Sequence, residues 1–235
     1  MNDPLVLAYD VGTQSVRAML IDPHGSILET AKDVYEKPYY SLQPNWAEQR
    51  PDYYFEHLCV VTQRLRHQSP ELFSRAVCVV VTVFRDSTVC MGRDGKPLRD
   101  CILWMDQREA ENPKPLPDSK RALFAVVGMT ETIEMLHRTA ACNWIAENEP
   151  ELWERTDKYV CLSTYLNYRL TGRIADSAAA LIAKLPYDYK TRSWDKNGLT
   201  RCVYDIPQDK LCEIVLSGET IGTVTAEASR LSGLP

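Results

Sequence analysis

The chain has 235 residues, of which 45% are apolar and 9% aromatic, enough to build a hydrophobic core in one large domain or two small ones. Its formal net charge of −5 argues against an electrostatic grip on nucleic acid or on an anionic membrane surface, so any anionic ligand must be held by local groups. Eight cysteines without a C-x-x-C pair argue against a zinc site or a disulfide framework, and the lack of a signal-like start or a membrane-spanning apolar run makes the cytoplasm the expected compartment.

A phosphate-binding hairpin is predicted at positions 5–22. Two apolar, β-prone runs flank a polar turn that carries an acid, a glycine, two hydroxyls and an arginine. The glycine allows a tight bend, so that backbone N–H groups and the hydroxyls of Thr13 and Ser15 can donate to phosphate oxygens. Asp10 would face the Mg²⁺ of a nucleotide, directly or through water, because Mg²⁺ keeps several waters and takes few carboxylates. Taken alone, the turn is equally compatible with an ordinary hairpin and a solvated Arg17.

The next elements predict an α/β layered domain. Residues 26–35 resume as a third strand and complete an antiparallel meander. Residues 38–51 are too rich in proline and aromatics for a helix or central strand, so we expect a structured loop over a cleft. A helix is predicted through residue 68 from its apolar spacing. Residues 75–83 form a continuous β-branched run, typical of a strand buried on both faces.

Polar residues follow this run at positions 84–88, where open α/β sheets hold their ligands. A short strand at 89–91 and the segment 102–108 come next. Ser163 is predicted to cap a helix from Thr164 to Leu170, which stops at Thr171-Gly172. The other predicted elements are helices over 118–127, 139–149, from 151, from 194 to about 203, over 208–215 and over 225–231, and strands over 159–162 and near 221–224.

Several separated stretches share one pattern: Asp10-Val11-Gly12-Thr13-Gln14-Ser15 with Arg17, Asn45-Trp46-Ala47-Glu48-Gln49, the pair Arg85-Asp86, and Trp104-Met105-Asp106-Gln107-Arg108. Together with pieces at 147–152 and 165–172, they resemble the N-terminal half of the FGGY carbohydrate kinases, the family of glycerol, xylulose and gluconate kinases. The resemblance implies an α/β, ribonuclease H-like (actin-like ATPase) domain with a mixed β-sheet flanked by helices. It also implies transfer of the γ-phosphate of ATP to a hydroxyl of a sugar or polyol.

The resemblance implies two groups of site residues. Those expected to contact the nucleotide are Asp10, Gly12, Thr13, Gln14, Ser15 and Arg17, with Asp10 also facing Mg²⁺. Those expected to hold the sugar or polyol are Arg85, Asp86, Trp104 and Asp106. The residues alone leave alternatives open: Arg85 and Asp86 could form only a surface ion pair, and Trp104 could be a core residue.

The whole chain, residues 1–235, is expected to be the family's N-terminal domain. In this family the catalytic aspartate follows a glycine-rich stretch that would lie beyond Pro235, so no catalytic base is assigned within these residues. Ala179 stands where the family usually has an asparagine, which favours the alternative of a non-catalytic sugar- or partner-binding module. His137 receives no role. Neither a nucleic acid nor a membrane partner is expected, and homo-oligomer formation is left open.

Overall fold

Strands and helices alternate along the chain, and the computed structural model describes residues 3–181, 184–196 and 198–235. The strands are β1 (Leu5–Val11), β2 (Ser15–Ile21), β3 (Ile27–Val34), β4 (Glu48–Gln49), β5 (Ala76–Val83), β6 (Thr88–Met91), β7 (Cys101–Ile102), β8 (Lys158–Cys161), β9 (Ala175–Ser177), β10 (Tyr187–Asp188), β11 (Ser193–Trp194) and β12 (Glu213–Val215). The helices are α1 (Pro51–Gln68), α2 (Pro70–Phe73), α3 (Asp118–Val126), α4 (Thr130–Thr139), α5 (Ala141–Asn148), α6 (Pro150–Arg155), α7 (Leu162–Thr171), α8 (Leu199–Val203) and α9 (Ala226–Ser232). Two 3₁₀ turns lie at Ala178–Leu181 and Gln208–Lys210.

The N-terminal sheet has the strand order β3-β2-β1-β5. The first three strands are antiparallel, as the predicted meander requires, and β5 pairs with β1 in parallel. Every second residue of β1, from Leu5 to Val11, is fully buried, because side chains alternate between the two faces of a strand. The sheet is therefore mixed and directs one apolar face into the core.

Helix α1 covers that buried face, and its predicted bounds are confirmed. Pro51 occupies the start of the helix, where a missing N–H costs nothing, and Asp52 places a negative charge in the first turn. Leu58, Val61 and Leu65 recur at helical spacing and are fully buried. Across the described ranges, no helix is both long and apolar enough to cross a membrane.

The opposite face of the sheet is open, and the prediction that β5 is buried on both faces is wrong. Val79 and Val81 pack against the core, whereas Val80 between them is 50% exposed and Cys78 is exposed. On this open face Val80 lies beside Ala8 of β1 in register. A continuous β-branched run predicts a strand, but it does not reveal how many faces the rest of the chain covers.

A second sheet, with the order β4-β7-β6-β8, combines β4 with three strands that follow β5. A second apolar cluster, which includes Ile145 and Tyr159, packs beside it. The helix predicted over 139–149 corresponds to α5, which begins two residues later, whereas α4 was not predicted; Ala140 between the two helices has an extended backbone. The cap predicted at Ser163 is wrong, because this residue lies inside α7 and donates to Asp176 Oδ2 at 2.5 Å.

The last part of the chain is more irregular than its pattern suggests. The predicted strand near 221–224 is a loop. Residues 208–215 form a 3₁₀ turn and β12 rather than one helix. Of the helix predicted from 194, the described residues form β11 and then α8, and Asn197 lies outside them. The predicted final helix corresponds to α9, which is capped by Thr225.

Candidate active site

The turn between β1 and β2 is tight, and its geometry depends on Gly12. The Gly12 N–H donates to the Ser15 carbonyl oxygen at 2.9 Å. A Cβ at position 12 would lie 3.2 Å from that oxygen, so a larger residue would crowd the turn. Gln14 is exposed, and its carbonyl oxygen accepts from the Tyr35 N–H at 3.0 Å, which fixes the turn against the end of β3.

Asp10 and Arg17 are cross-strand neighbours beside this turn. They are paired in register on β1 and β2, and Arg17 Nη1 donates to Asp10 Oδ2 at 2.8 Å. The two side chains remain 45% (Arg17) and 41% (Asp10) exposed, so a ligand in solvent can reach both. An exposed pair of this kind contributes little to stability. The hairpin thus groups all the residues predicted to bind the nucleotide: Asp10, Gly12, Thr13, Gln14, Ser15 and Arg17.

Trp104 connects the turn to a distant part of the chain. Its indole Nε1 donates to Thr13 Oγ1 at 3.1 Å, across 91 positions of sequence. Its backbone N–H donates to Ser87 Oγ at 3.0 Å. The Trp104 side chain is 52% exposed, so the alternative that it is a core residue is wrong. Because the Thr13 hydroxyl accepts from the indole, its own proton is free to be donated elsewhere.

A buried ion cluster, formed by Glu48, Arg99, Asp106 and Arg108, anchors the segment that carries Trp104. Arg108 contacts Asp106 Oδ2 at 2.7 Å and Glu48 Oε1 at 2.8 Å, and Arg99 donates to the same Glu48 oxygen at 2.5 Å. The side chains of Glu48, Asp106 and Arg108 are at most 5% exposed. Buried charges of this kind are tolerated only when they are closely paired.

Aromatic side chains enclose the Arg108 guanidinium. Its central carbon lies 3.7 Å from the centre of the Trp46 ring and 4.7 Å from that of Trp144. A planar, weakly hydrated guanidinium is suited to such stacking, whereas a lysine ammonium is not. The loop over 38–51 is thereby held to the segment after β7.

The carboxylate of Asp106 is fully engaged within this cluster. It accepts from the Ala47 N–H at 2.6 Å and from the Arg108 backbone N–H at 2.9 Å, besides the two contacts from the Arg108 guanidinium at 2.7 and 2.8 Å. Asp106 borders the pocket described next, but these bonds use its acceptor oxygens. This arrangement favours a role in positioning the Trp104 segment, and direct contact with a sugar stays a prediction.

A pocket opens beside Trp104 and gathers residues from several parts of the chain. Its lining consists of Asp86, Ile102, Leu103, Trp104, Asp106, Arg108, Thr139, Ala141 and Lys184. The lining combines an acid, a base and an exposed indole face, which are the groups that hold polyhydroxylated ligands. Three of the four predicted acceptor-binding residues therefore meet in one pocket.

Asp86 has an unusual backbone and an unusual acidity in this pocket. Its φ of 60° is in the left-handed region, which costs a non-glycine residue free energy and is concentrated at functional sites. Burial raises the pKa of Asp86 above its usual value, and the Lys184 ammonium at 3.3 Å opposes that rise. The sequence left open that Asp86 forms only a surface ion pair with Arg85. In the structure the partner of Asp86 is Lys184.

Arg85 is exposed and is not among the pocket-lining residues. Its predicted role in acceptor binding stays a prediction. Lys184 was missed by sequence reasoning, because it follows β9 and its 3₁₀ turn with no motif around it. Ser87, buried and bonded to the Trp104 N–H, was also missed, although its place directly after a β-branched strand is a signal for such a residue.

Known proteins match this chain over nearly its whole length. The family model described as "FGGY family of carbohydrate kinases, N-terminal domain" matches residues 5–235. A glycerol kinase of Thermococcus gammatolerans is 28% identical over 232 residues, which cover 94% of this chain and 45% of that protein. The solved xylulose kinase from Rhodospirillum rubrum matches with a TM-score of 0.80 at 24% identity and covers 98% of this chain and 46% of its own. The solved Plasmodium falciparum glycerol kinase with ADP matches with a TM-score of 0.73 at 19% identity. The match covers 98% of this chain and 46% of that protein.

An α/β domain with a mixed sheet flanked by helices, matching the N-terminal part of solved actin-like carbohydrate kinases, defines the class of protein. The chain belongs to the FGGY family of carbohydrate kinases and corresponds to its N-terminal domain. It spans about half the length of the relatives that it matches. The expected fold and the expected family are both confirmed.

Proposed function

We propose that this chain is the N-terminal half of an ATP-dependent kinase that transfers the γ-phosphate of ATP to a hydroxyl of a sugar or polyol. The observation that carries the proposal is the hydrogen bond between Trp104 Nε1 and Thr13 Oγ1. Because Trp104 also lines the pocket, this bond supports the proposal that the acceptor pocket lies beside the phosphate turn. Phosphoryl transfer requires chiefly that donor and acceptor be held in line and that phosphate charge be stabilised, so this adjacency is the feature that the chemistry needs.

In this proposal the hairpin turn holds the phosphates of the nucleotide. The Thr13 hydroxyl, already accepting from Trp104, donates its proton to a phosphate oxygen, and the Ser15 hydroxyl and the turn N–H groups donate beside it. Arg17 turns from Asp10 to the phosphates, where a guanidinium forms stronger, charge-assisted bonds. Gly12 has no side chain that could hinder the approach of an anion to the backbone of the turn.

The donor set beside the turn fits Mg²⁺ held mainly through water. Asp10 supplies one accessible carboxylate, and the described residues contain no cluster of three or more metal-ligating side chains. Mg²⁺ in phosphoryl-transfer sites is commonly bound by one or two carboxylates together with substrate phosphates and water. When bound there, Mg²⁺ would neutralise charge on the phosphate oxygens. Asp10 would orient it from the protein side.

The acceptor would occupy the pocket lined by Asp86 and Trp104. The Asp86 carboxylate would accept a hydrogen bond from a hydroxyl, and the exposed Trp104 indole would pack against the carbon-bound hydrogens of the sugar. The general base that removes the hydroxyl proton is proposed to lie in the part of the relatives' length that this chain does not span. These 235 residues alone are then expected to bind ligands without catalysing transfer.

A non-catalytic binding module is the second candidate. Ala179, where the family usually has asparagine, presents no polar side chain, and its backbone N–H donates to Ser177 Oγ at 3.2 Å. This module would bind a sugar regardless of whether a nucleotide is present. Calorimetric titration of sugars with and without MgADP separates the two candidates, because a kinase half is expected to bind both ligands.

The test of the proposed function measures binding and transfer separately. MgADP is titrated into the 235-residue chain and into its Asp10→Asn variant, and we expect the variant to bind MgADP about tenfold more weakly while metal-free ADP binds both alike. Sugar-dependent ATP consumption by the 235 residues is then assayed. Rapid phosphoryl transfer by the 235 residues alone, or no binding of MgADP, would contradict the proposal.

A further inference from the structure

The pair formed by Asp86 and Lys184 lies on the wall of the acceptor pocket. Lys184 Nζ is 3.3 Å from Asp86 Oδ2, and it donates to the Thr139 carbonyl oxygen at 3.0 Å. The side chains of Lys184 and Asp86 are 28% and 33% exposed, so neither is sealed in the core. Both line the pocket together with Trp104.

The surrounding backbone holds Asp86 in place. The next residue, Ser87, is buried, its carbonyl oxygen accepts from the Leu162 N–H at 2.9 Å, and its hydroxyl accepts from the Trp104 N–H at 3.0 Å. These bonds account for the persistence of a left-handed φ of 60° at Asp86. The carboxylate is therefore presented to the pocket in a fixed position, and Lys184 is fixed beside it.

Counted over the residues that the structure describes, the contacts of Lys184 leave one of its N–H groups for a ligand. An ammonium group carries three donors and no acceptor. One donor faces Asp86 and one faces the Thr139 carbonyl oxygen. The third is available to an oxygen atom in the pocket that Lys184 lines.

We propose that Lys184 is a specificity-determining residue of the acceptor site and donates to one oxygen of the acceptor while Asp86 accepts from the adjacent hydroxyl. The pair thus selects a ligand with two neighbouring hydroxyl groups. One hydroxyl accepts a hydrogen bond from Lys184, and the other donates one to Asp86. This inference rests on the proposed sugar or polyol kinase function. Loss of such a contact leaves a partly buried polar group without its ligand partner, which is the basis of strong selectivity for hydroxylated ligands.

The net charge of the pocket lining indicates whether the acceptor is a neutral or an acidic molecule. Asp86 and Lys184 neutralise each other, and the buried Asp106 is already paired with Arg108. A ligand carboxylate in this pocket would approach Asp86 as well as Lys184. To pair with Lys184, it would have to displace the Asp86 carboxylate. The geometry therefore favours neutral polyols and ketoses over sugar acids.

The experiment compares acceptor binding by the 235-residue chain and three variants. Glycerol, D-xylulose and D-gluconate are titrated by calorimetry into the unsubstituted chain, Lys184→Met, Lys184→Arg and the control Lys190→Met. Lys190 is exposed, six positions away, and outside the pocket lining, so its substitution removes the same charge without touching the site. MgADP binding and thermal unfolding of each variant are measured in parallel to show that folding and the phosphate turn are intact.

We expect a neutral polyol or ketose to bind at least tenfold more weakly to Lys184→Met, with partial recovery in Lys184→Arg and no change in Lys190→Met. Binding of MgADP is expected to be the same in all four proteins. Equal acceptor binding by Lys184→Met and the unsubstituted chain overturns the inference alone. Preferential binding of D-gluconate overturns the assignment of a neutral acceptor. No binding of any acceptor to the unsubstituted chain overturns the proposed function and this inference with it.

Discussion

The hydroxyl of Thr13 gains its direction from a residue far away in sequence. A threonine hydroxyl rotates freely and can donate or accept, but the Trp104 indole N–H can only donate. At 3.1 Å from Trp104 Nε1, Thr13 Oγ1 is fixed as the acceptor of that bond. Its own hydrogen must then point elsewhere, and the phosphate side of the turn is the direction that the proposed function uses.

Trp104→Phe tests this directional role. Phenylalanine keeps an aromatic face toward the pocket but loses the donor, so the Thr13 hydroxyl is free to rotate. We expect MgADP binding to weaken by about three- to tenfold, the equivalent of one neutral hydrogen bond of about 1 kcal/mol, while acceptor binding changes less. Calorimetric titration measures both affinities.

Trp153→Phe is the matched control for this prediction, since Trp153 packs on Tyr159 and does not line the pocket. It is expected to leave the affinity for MgADP unchanged. An unchanged MgADP affinity in Trp104→Phe would show that the indole bond does not orient Thr13.

The acidity of Asp86 makes acceptor binding depend on pH. Only the ionised carboxylate accepts hydrogen bonds at both oxygens, and burial raises the pKa of Asp86 above that of an ordinary aspartate. As the pH falls through that raised pKa, Asp86 takes up a proton and acceptor affinity is expected to decline. The decline begins at a less acidic pH than an exposed aspartate would give.

Removing Lys184 is expected to move this pH profile. The ammonium lowers the pKa of Asp86, so in Lys184→Met the midpoint of the decline shifts to higher pH. Acceptor affinity is measured by calorimetry across the acidic range, with Lys190→Met as the control. A midpoint that stays the same in Lys184→Met would rule out electrostatic coupling between the two residues.

At the residue scale, site residues within one local motif can be predicted from the sequence. Contacts between residues that are far apart in sequence cannot. Asp10, Gly12, Thr13 and Arg17 belong to one hairpin, so their grouping follows from strand register alone. Lys184 meets Asp86 through the fold, where its ammonium also donates to the carbonyl oxygen of Thr139 at the end of α4. No spacing rule connects positions 86 and 184, so this contact required a structure.

At the scale of elements, the loop over 38–51 is held by the buried ion cluster. The carbonyl oxygen of Ala47 accepts from the Leu103 N–H at 3.0 Å, and that of Asn45 accepts from the Gln107 N–H at 3.0 Å. The Arg108 guanidinium then joins Glu48 of β4 to Asp106 of the following segment. Loop and segment therefore move as one unit, and Trp104 is carried on it.

Arg108→Met is expected to destabilise this unit strongly. Methionine fills part of the space between Trp46 and Trp144 but leaves the buried carboxylates of Glu48 and Asp106 without their main cation. Breaking a buried pair by removing one partner costs about 3–5 kcal/mol. Urea denaturation, followed by far-UV circular dichroism, measures the free energy of unfolding.

Arg93→Met provides the control for this prediction. Its side chain is 94% exposed and its contact with Asp157 is 3.9 Å long, so we expect a change below about 0.5 kcal/mol. If Arg108→Met unfolds with a free energy close to that of the unsubstituted chain, the cluster does not stabilise the loop. Glu48→Gln combined with Arg108→Met is expected to cost less than the sum of the single changes, because the two residues share one contact.

Element types were more predictable than their boundaries. The N-terminal strands and α1 follow directly from period-2 and period-3.6 patterns. The helix predicted over 139–149 lies within two residues of α5 at each end, whereas α4, which precedes it, was not predicted. Ser163 was mistaken for a cap because a serine before a helical run has the same signature as one that bonds elsewhere, here to Asp176.

At the scale of the whole molecule, the residues that the structure describes cover the N-terminal sheet on one face only. Leu5, Leu7 and Tyr9 of β1 are fully buried on the side that α1 covers, whereas Val80 on the other side is half exposed. In its relatives, this domain makes up about half of a longer chain. The α/β class was readable from the alternation of strands and helices, but which sheet face lacks a cover depends on the folded arrangement.

The open face predicts self-association of the 235-residue chain in isolation. β5 lies at an edge of the sheet among the described residues, and Val77 and Val80 are 73% and 50% exposed. An exposed, uncharged edge strand is a template for pairing with another chain. We expect sedimentation velocity to show association that increases with protein concentration. Because Cys78 on the same strand is also exposed, the measurement requires a reducing agent to exclude disulfide-linked dimers.

Val80→Lys is expected to suppress this association, because a charge on an edge strand opposes pairing with a second chain. Val60→Lys introduces the same charge on α1, at a site that is 44% exposed, and is expected to associate as the unsubstituted chain does. Both positions are already exposed, so each variant is expected to keep its free energy of unfolding within about 0.5 kcal/mol. Equal association of Val80→Lys and Val60→Lys would assign the contact to another surface, whereas a monomeric Val80→Lys locates it on β5.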